Sequence, residues 1–567
     1  MALTAFVRHD VATGGTNVIN WDGYGYYVYL PAVFVYGDVD DYDFVDQHFA
    51  DYQVSSDVYQ LMTAEDGSKF PIYNAGLAVL WSPAFLATHA LVQVTGVAPA
   101  DGMSFPYQLM VLLTGLFVVS CGFVYLRRFL LLHFSERTVA FVLLGLGLGT
   151  NLFYYAVEKP AMTHAYLFAG YAFFLYHFQK MLEEEKLGYP LRRLLLLGLT
   201  AGLLCLIRSS ELVLFALPAF HGLRSWSALR RNFWRTLPVF LLALAVFSLQ
   251  LIYYKTGTGQ WFRDGYAGLG FDWTSPHLLD GFFSYRRGWL VYTPLMAFAL
   301  AGVFWLRRGW FLPVLIFVLA NCYILFSWHI WWYGNTFGSR PVVQSYALLA
   351  LPLGAFLTWV WAADAGAKKG WKTAMAGTLL FAFIGLNLFQ HWQYNRRILP
   401  LDFTNKTYYW RAFGKTTLNK KDRVYLDTDE RLPAGERRAV PLLRLDTLVT
   451  IAPKASREFT NLLEHRADRA EPDAWLRTDL SFSYYGDSYD KWKFPSVVTE
   501  HRRGDATLKW VQVKIPPTID TPERDSLTFH LSLPDLREGD VVKQYLWNLC
   551  QDSMVIREYR STLLIAE

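Results

Sequence analysis

Asp22 stands in the run Trp21-Asp22-Gly23-Tyr24-Gly25-Tyr26-Tyr27, an acid set among glycines and tyrosines beside apolar sequence. Burial against aromatic rings raises a carboxyl pKa and suits the group to general-base work. The plainer reading is a solvated loop acid, in a segment that carries many. A second constellation is Glu158-Lys159-Pro160-Ala161-Met162-Thr163-His164, which lies between two apolar runs with almost no loop. Glu158, Lys159 and His164 at such a turn either bind a substrate or pair with one another. Arg208, in Arg208-Ser209-Ser210-Glu211, breaks a long apolar stretch. A buried arginine needs an anion, and either Glu211 or a phosphate would serve. Arg286 and Arg287, in Ser284-Tyr285-Arg286-Arg287-Gly288, sit just before another apolar run and suit lipid headgroups or a phosphate. In Trp331-Trp332-Tyr333-Gly334-Asn335-Thr336-Phe337-Gly338-Ser339-Arg340, the glycines allow close backbone approach. Arg340 there is a phosphate clamp or a helix-start salt bridge. His277, after Ser275-Pro276, reads as structural.

These residues need a scaffold, and composition says which kind. Of 567 residues, 53% are hydrophobic, 17% aromatic and only 18% charged, where soluble domains carry about 25% charge. Mean hydropathy is +0.18 even with a polar C-terminal third. Disorder, collagen and coiled coil are excluded, and a net charge of +5 gives no support for nucleic-acid binding. The four cysteines, Cys121, Cys205, Cys322 and Cys550, show neither CxxC nor zinc spacing. The chain reads as a polytopic α-helical membrane protein.

A span needs about 20 mostly apolar residues. Candidates lie at 106–126, 138–157, 161–179, 237–254, 290–306, 310–330, 342–362 and 373–392, and 194–221 reads as two short helices meeting at Arg208. Ten crossings result. The run 72–95, interrupted by Pro83 and His89, reads as an interfacial helix, with a full span as the alternative. Gly145-Leu-Gly-Leu-Gly149 lies within a span and predicts close helix packing, not a dinucleotide loop.

Alternate connections are basic. They contain Arg127, Arg128 and Arg137; Lys180, Lys186, Arg192 and Arg193; Arg224, Arg230, Arg231 and Arg235; Arg307 and Arg308; and Lys368, Lys369 and Lys372. The positive-inside rule puts these in the cytoplasm. Residues 1–105, the Glu158 and Arg208 turns, the loops 255–289 and 331–341, and everything after about 393 then face outward. Residues 1–71 carry eleven acids against Arg8 and Lys69, which suits an external segment. No apolar run precedes that segment, which predicts a further transmembrane helix before Met1.

Period-two alternation at 506–515, 526–533, 540–548 and 554–565, with weaker runs at 447–452 and 478–485, predicts an antiparallel, jelly-roll-like β-sandwich. The division expected is 1–105, a first external loop; 106–393, a helical membrane domain; and 394–567, the external sandwich, a scaffold or a glycan-binding module.

An acid opening the first external loop, the Glu158…Thr163-His164 turn, the short helix pair at Arg208 and the Trp331…Arg340 segment occur in a set order on one side. In this the chain resembles the GT-C superfamily of integral-membrane glycosyltransferases, nearest the bacterial relatives of protein O-mannosyltransferases and lipid A aminoarabinose transferases. The resemblance implies an inverting glycosyltransferase of the bacterial inner membrane. Such an enzyme takes sugar from a polyprenyl-phosphate donor and passes it to a protein, lipid or glycan acceptor on the periplasmic side. Asp22 would be the catalytic base, and Glu158, Lys159, His164, Arg208, Arg286, Arg287 and Arg340 would bind substrate. Asp22 is followed by Gly23 in place of a second acid, which leaves a divalent metal open. A transporter or flippase for a lipid-linked or anionic glycan is the rival class, but no internal repeat is visible and the charged motifs gather at one face.

Overall fold

The computed structural model describes residues 4–5, 17–184, 191–265, 269–334, 336–362, 370–400, 404–418, 420–428, 430, 432–445, 449–451, 458–485, 494–515, 525–549 and 553–566. Lys186, Asn335, Lys368, Lys369 and Cys550, and most of the chain before Asn17, lie outside them. The chain divides into two compact units, Met1–Asn395 and Arg396–Glu567.

The first unit is helical. Among the described residues, six helices are long and apolar enough to cross a membrane: Gly76–Thr95, Phe105–Leu131, Trp226–Thr258, Arg308–Ser327, Arg340–Ala362 and Trp371–Asn395. Five coincide with expected spans. The sixth, Gly76–Thr95, is the segment read as interfacial. Pro83 does not interrupt its 20 residues, which have the length to cross.

The other expected spans are built differently. The run 138–157 divides into Glu136–Leu148 and Leu152–Val157. The run 290–306 divides into Trp289–Tyr292, Leu295–Gly302 and a 3₁₀ turn, Val303–Trp305. Leu191–Ile207 has 17 residues and ends at Arg208, whose backbone is extended (φ −153°, ψ 117°) before the 3₁₀ turn Ser209–Phe215 and the short helix Ala216–Phe220. Thr163–Glu184 is a single 22-residue helix with a polar C-terminal end.

Small residues set the helix contacts. Gly198 and Gly202, one turn apart, lie against Leu242 and against Val246 and Ala243 of Trp226–Thr258, where an added Cβ would come within 2.6–2.7 Å of its nearest neighbour. Gly122 meets Ala169 in the same way. Gly145 packs on Leu295 and Leu380, in keeping with helix packing.

The second unit is a β-sandwich. Ahead of it in the chain, β1 (Leu61–Thr63) and β2 (Lys69–Pro71) form a small hairpin in the first unit. The sandwich strands are β3 (Arg437–Leu445), β4 (Val449–Ile451), β5 (Phe459–Arg466), β6 (Glu471–Tyr484), β7 (Ser496–Arg503), β8 (Ala506–Lys514), β9 (Asp525–Leu536), β10 (Val541–Trp547) and β11 (Met554–Ala566). One sheet runs β5-β10-β7-β8; the other runs β3-β11-β6-β9, with β4 also on β11. Every pairing is antiparallel. Alternate side chains of both sheets, among them Leu463, Val497, Val513 and Leu546 from one and Leu480, Phe482, Leu527 and Ile556 from the other, form one buried core. The alternation read from the sequence is this inward and outward pleat.

Candidate active site at the Asp22–Arg340 pair

Breaks in the helices make the site. Irregular backbone inside a membrane domain needs protein or a cavity around it to satisfy its polar groups. Here the breaks are where the charged residues sit. Leu191–Ile207 stops at Arg208. Arg340 opens the 3₁₀ turn Arg340–Ser345, with Pro341 in its first turn, before Tyr346–Ala362. Glu158 closes Leu152–Val157 ahead of Lys159-Pro160. Arg287 has φ +105° just before Trp289–Tyr292.

Asp22 begins the helix Asp22–Tyr27. Gly23 permits the close approach to Ala161, where an added Cβ would come within 2.7 Å of the Ala161 Cβ. Arg340 Nη1 donates to Asp22 Oδ2 at 2.6 Å, and both side chains are 17% exposed. Tyr59 OH donates to Asp22 Oδ1 at 2.7 Å. Of the two roles the sequence offers Arg340, phosphate clamp or helix-start salt bridge, the structure shows a salt bridge from the first residue of its turn, and the partner is Asp22, the candidate base.

The expected rise in the Asp22 pKa is not found. Burial does push it up. The Arg340 charge and hydrogen bonds from Tyr59, Arg340 and Tyr73 pull the other way, and the carboxyl ends below the ordinary aspartate value. The aromatics around Asp22 are hydroxyl donors to the carboxylate, and not only an apolar wall.

The other arginines meet at one turn, Trp332-Tyr333-Gly334. The Arg286 guanidinium lies 3.7 Å from the centroid of the Trp332 ring. Arg287, 1% exposed, donates from Nη1 to the Trp332 carbonyl at 2.9 Å. Arg208 lies over the Tyr333 ring at 5.4 Å. Arg340 Nη2 is 4.0 Å from where a Cβ on Gly334 would stand. Two adjacent aromatic faces therefore carry two cations, a favourable arrangement for weakly hydrated guanidinium groups. Among the described residues, neither Arg208 nor Arg286 has a carboxylate within salt-bridge distance. Burial, then the neighbouring Arg287 charge, pulls Arg286 down to about 10. Burial does the same to Arg287, opposed by Tyr394 and Tyr155 and assisted by Arg340. Both remain cations at neutral pH, and both gain from an anion. Strain marks the same place: Trp21, Arg287 and Tyr333 hold positive φ, at a cost of about 1–3 kcal/mol each.

The remaining candidates separate. Glu158 is taken up by His391 Nε2 at 3.3 Å and by Asn395 Nδ2 at 3.0 Å. Lys159 Nζ reaches Asn20 Oδ1 at 3.5 Å, close in sequence to Asp22. His164, 3% exposed, faces Gln344 Oε1 at 3.5 Å. Glu211 makes no salt bridge with Arg208 but lies within reach of its charge; it accepts from Tyr171 OH at 2.6 Å and from Gln344 Nε2 at 3.0 Å. The Gln344–Glu211 bond ties the turn that begins at Arg340 to the turn that follows Arg208. Sequence reading missed Tyr59, Tyr73 and Gln344. Tyr59 and Tyr73 flank the β1–β2 hairpin and belong to no motif. Gln344 could have been found, since it lies one helical turn beyond Arg340.

The donor set does not suit a divalent metal. Asp22 is already held by the Arg340 cation, and among the described residues no group of three or more His, Cys, Asp or Glu is disposed to hold a metal ion.

No family model matches the chain, and no curated protein matches it. Among solved structures it is similar to the crystal structure of the Archaeoglobus fulgidus oligosaccharyltransferase in the apo form. The identity is 14% and the TM-score 0.41, over 75% of this chain and 58% of that one. The chain thus spans less than two thirds of that protein's length.

Proposed function

We propose that the protein is a membrane glycosyltransferase that moves a sugar, with inversion, from a polyprenyl-phosphate donor to an acceptor hydroxyl or amine. The observation that carries this reading is the meeting of one acid, Asp22, with an arginine cluster at a level where several helices break. Fixed cations act most strongly where charge grows in the transition state. The acceptor's oxygen or nitrogen forms the new bond to the sugar C1. The bond from C1 to the phosphate oxygen breaks, and its electron pair leaves on the phosphate. The acceptor's proton goes to Asp22. Arg208, Arg286, Arg287 and Arg340 supply the positive charge that the departing phosphate needs. Lys159 and His164 lie nearby and complete the polar lining. Glu158, held by His391 and Asn395, supports the turn from which Lys159 extends.

The basic connections favour a cytoplasmic face opposite Asp22, so the reaction runs on the outer face of a bacterial inner membrane, with the sandwich domain on the same side. The membrane supplies the lipid phase for the carrier's tail. Transfer of labelled sugar from a polyprenyl-phosphate donor to a mixed acceptor pool, by the full chain in detergent, tests the reading. Movement of the intact lipid-linked donor across a vesicle membrane with no cleavage of the sugar–phosphate bond would assign the protein to the transporters instead.

A further inference from the structure

The two oxygens of Asp22 have different partners, and the difference suggests how the site works. Oδ2 takes Arg340 at 2.6 Å; Oδ1 takes Tyr59 at 2.7 Å. In this state the carboxylate is a poor base, because a cation sits on the oxygen that would receive the proton. Arg340 is likewise a poor phosphate ligand while its charge is balanced by Asp22. Arg208 and Arg286 differ from it, since each rests on an aromatic face and neither, among the described residues, has a carboxylate within salt-bridge distance, although the Glu211 carboxyl lies within reach of the Arg208 charge. A phosphodiester with one negative charge has these two arginines available without disturbing Asp22. When the sugar–phosphate bond breaks, the phosphate gains an electron pair and its charge grows toward two. It then competes with the carboxylate for Arg340, whose guanidinium has five donors and suits phosphate.

We infer that Arg340 changes partner as the donor is cleaved, leaving Asp22 Oδ2 for the carrier's phosphate, while Tyr59 keeps Oδ1 and holds the carboxylate toward the acceptor. This rests on the reading of the site as a polyprenyl-phosphate glycosyltransferase. It ties proton removal to leaving-group departure: Asp22 gains proton affinity as charge builds on the phosphate. The groups facing the carboxylate are Arg340, Tyr59 and Tyr73, with Tyr26 against Tyr73 at a ring separation of 4.5 Å. Once Arg340 is removed from this set, burial and three neutral hydroxyl groups remain, and burial favours the protonated acid. Tyr59 is a positioning residue in this scheme.

Carbodiimide labelling of Asp22, read by mass spectrometry on the full chain in detergent, tests the exchange, because the reagent attacks the protonated carboxyl. The probe is farnesyl phosphate, a short monoester with the charge of the released carrier. Each unit of rise in proton affinity raises the protonated fraction about tenfold. Labelling of Asp22 is expected to rise about tenfold with the probe. In Arg340→Lys, where the bidentate contact to phosphate is lost, the increase is expected to be smaller. Tyr59→Phe is expected to label more readily than wild type without probe, and to lose turnover with the donor KM unchanged. A role in folding alone would not produce that division. Thermal stabilisation by farnesyl phosphate reports binding separately. If the probe stabilises the protein and Asp22 labelling stays constant, the exchange is wrong and the donor reading stands. If the probe fails to stabilise wild type, the donor reading is wrong and the exchange falls with it. Labelling of Tyr59→Phe equal to wild type would remove the positioning role.

Discussion

Asp22 and Arg340 are 318 residues apart in the chain and meet at 2.6 Å. Tyr59, Tyr73 and the Gly23–Ala161 approach surround the pair, and removing either member leaves a buried charge without compensation. Breaking such a pair costs about 3–5 kcal/mol. Arg340→Ala is therefore expected to lower the thermal stability of the full chain in detergent as well as to lower turnover. Asp22→Asn/Arg340→Ala should recover part of the lost stability and none of the activity. A double variant no more stable than Arg340→Ala alone would show that the two charges are energetically independent.

Asp22→Asn on its own separates chemistry from binding. Removing a general base costs about 10²–10⁴-fold in turnover. The donor KM should not rise, since the lost group acts on the acceptor's proton and Arg340 is left free to meet the phosphate. Steady-state kinetics with a polyprenyl-phosphate donor measure both. A large rise in KM with turnover intact would instead make Asp22 a binding residue.

The arginines on aromatic faces predict a different pattern. Arg286→Ala and Arg208→Ala should each weaken donor binding about tenfold, the loss of one charge-assisted contact of about 1.5 kcal/mol. Arg286→Lys should fail to restore it, because an ammonium does not stack on Trp332 as a guanidinium does. Equal affinity in the lysine variant would mean that charge alone matters there.

The lowered Asp22 pKa has a defined sign in stability. A carboxyl whose folded pKa lies below its unfolded value of about 3.9 contributes stability that is complete above that value. The contribution is lost as pH falls through the lower folded value. The thermal stability of wild type should therefore fall below about pH 4, and Asp22→Asn should show less of this acid-dependent loss. Parallel pH profiles for the two proteins would argue that Asp22 is not held as a stabilised anion.

A buried charge cluster in the sandwich domain makes an independent case. Asp540 accepts from His501 Nε2 at 2.9 Å, from Arg503 Nε at 2.9 Å and from the Arg537 backbone at 3.0 Å. The Arg503 hydrogen bond, opposed by some desolvation and assisted by the Arg537 backbone and His501, holds its carboxyl far below the usual range. Asp540→Ala should destabilise the domain, because the buried His501 loses its partner while the partly exposed Arg503 returns to water, and raise its susceptibility to limited proteolysis. Sugar transfer by the surviving folded protein measures whether the domain takes part in catalysis.

Much of this protein was legible in its sequence, and for identifiable reasons. Hydrophobicity is a local property, so runs such as 106–126 and 373–392 announce helices Phe105–Leu131 and Trp371–Asn395. Pleat alternation is equally local, so 506–515 and 554–565 announce β8 and β11. Unusual residue types within apolar sequence, Arg208 and Arg340 among them, mark where helices break, because charge and proline are costly inside a continuous span. Partner choice is a different kind of fact. Local pattern shows that Arg208 needs a partner and offers Glu211 or a phosphate, but not that Tyr333 provides an aromatic face and Gln344 occupies Glu211. Nor does it show that Tyr59, beside an ordinary hairpin, reaches Asp22. The direction of the Asp22 pKa belongs to the same class. Burial and aromatic surroundings are readable from Trp21-Asp22-Gly23-Tyr24, and by themselves they raise it. The opposing charge and hydroxyl donors come from segments distant in the chain, so tertiary structure alone decides the sum.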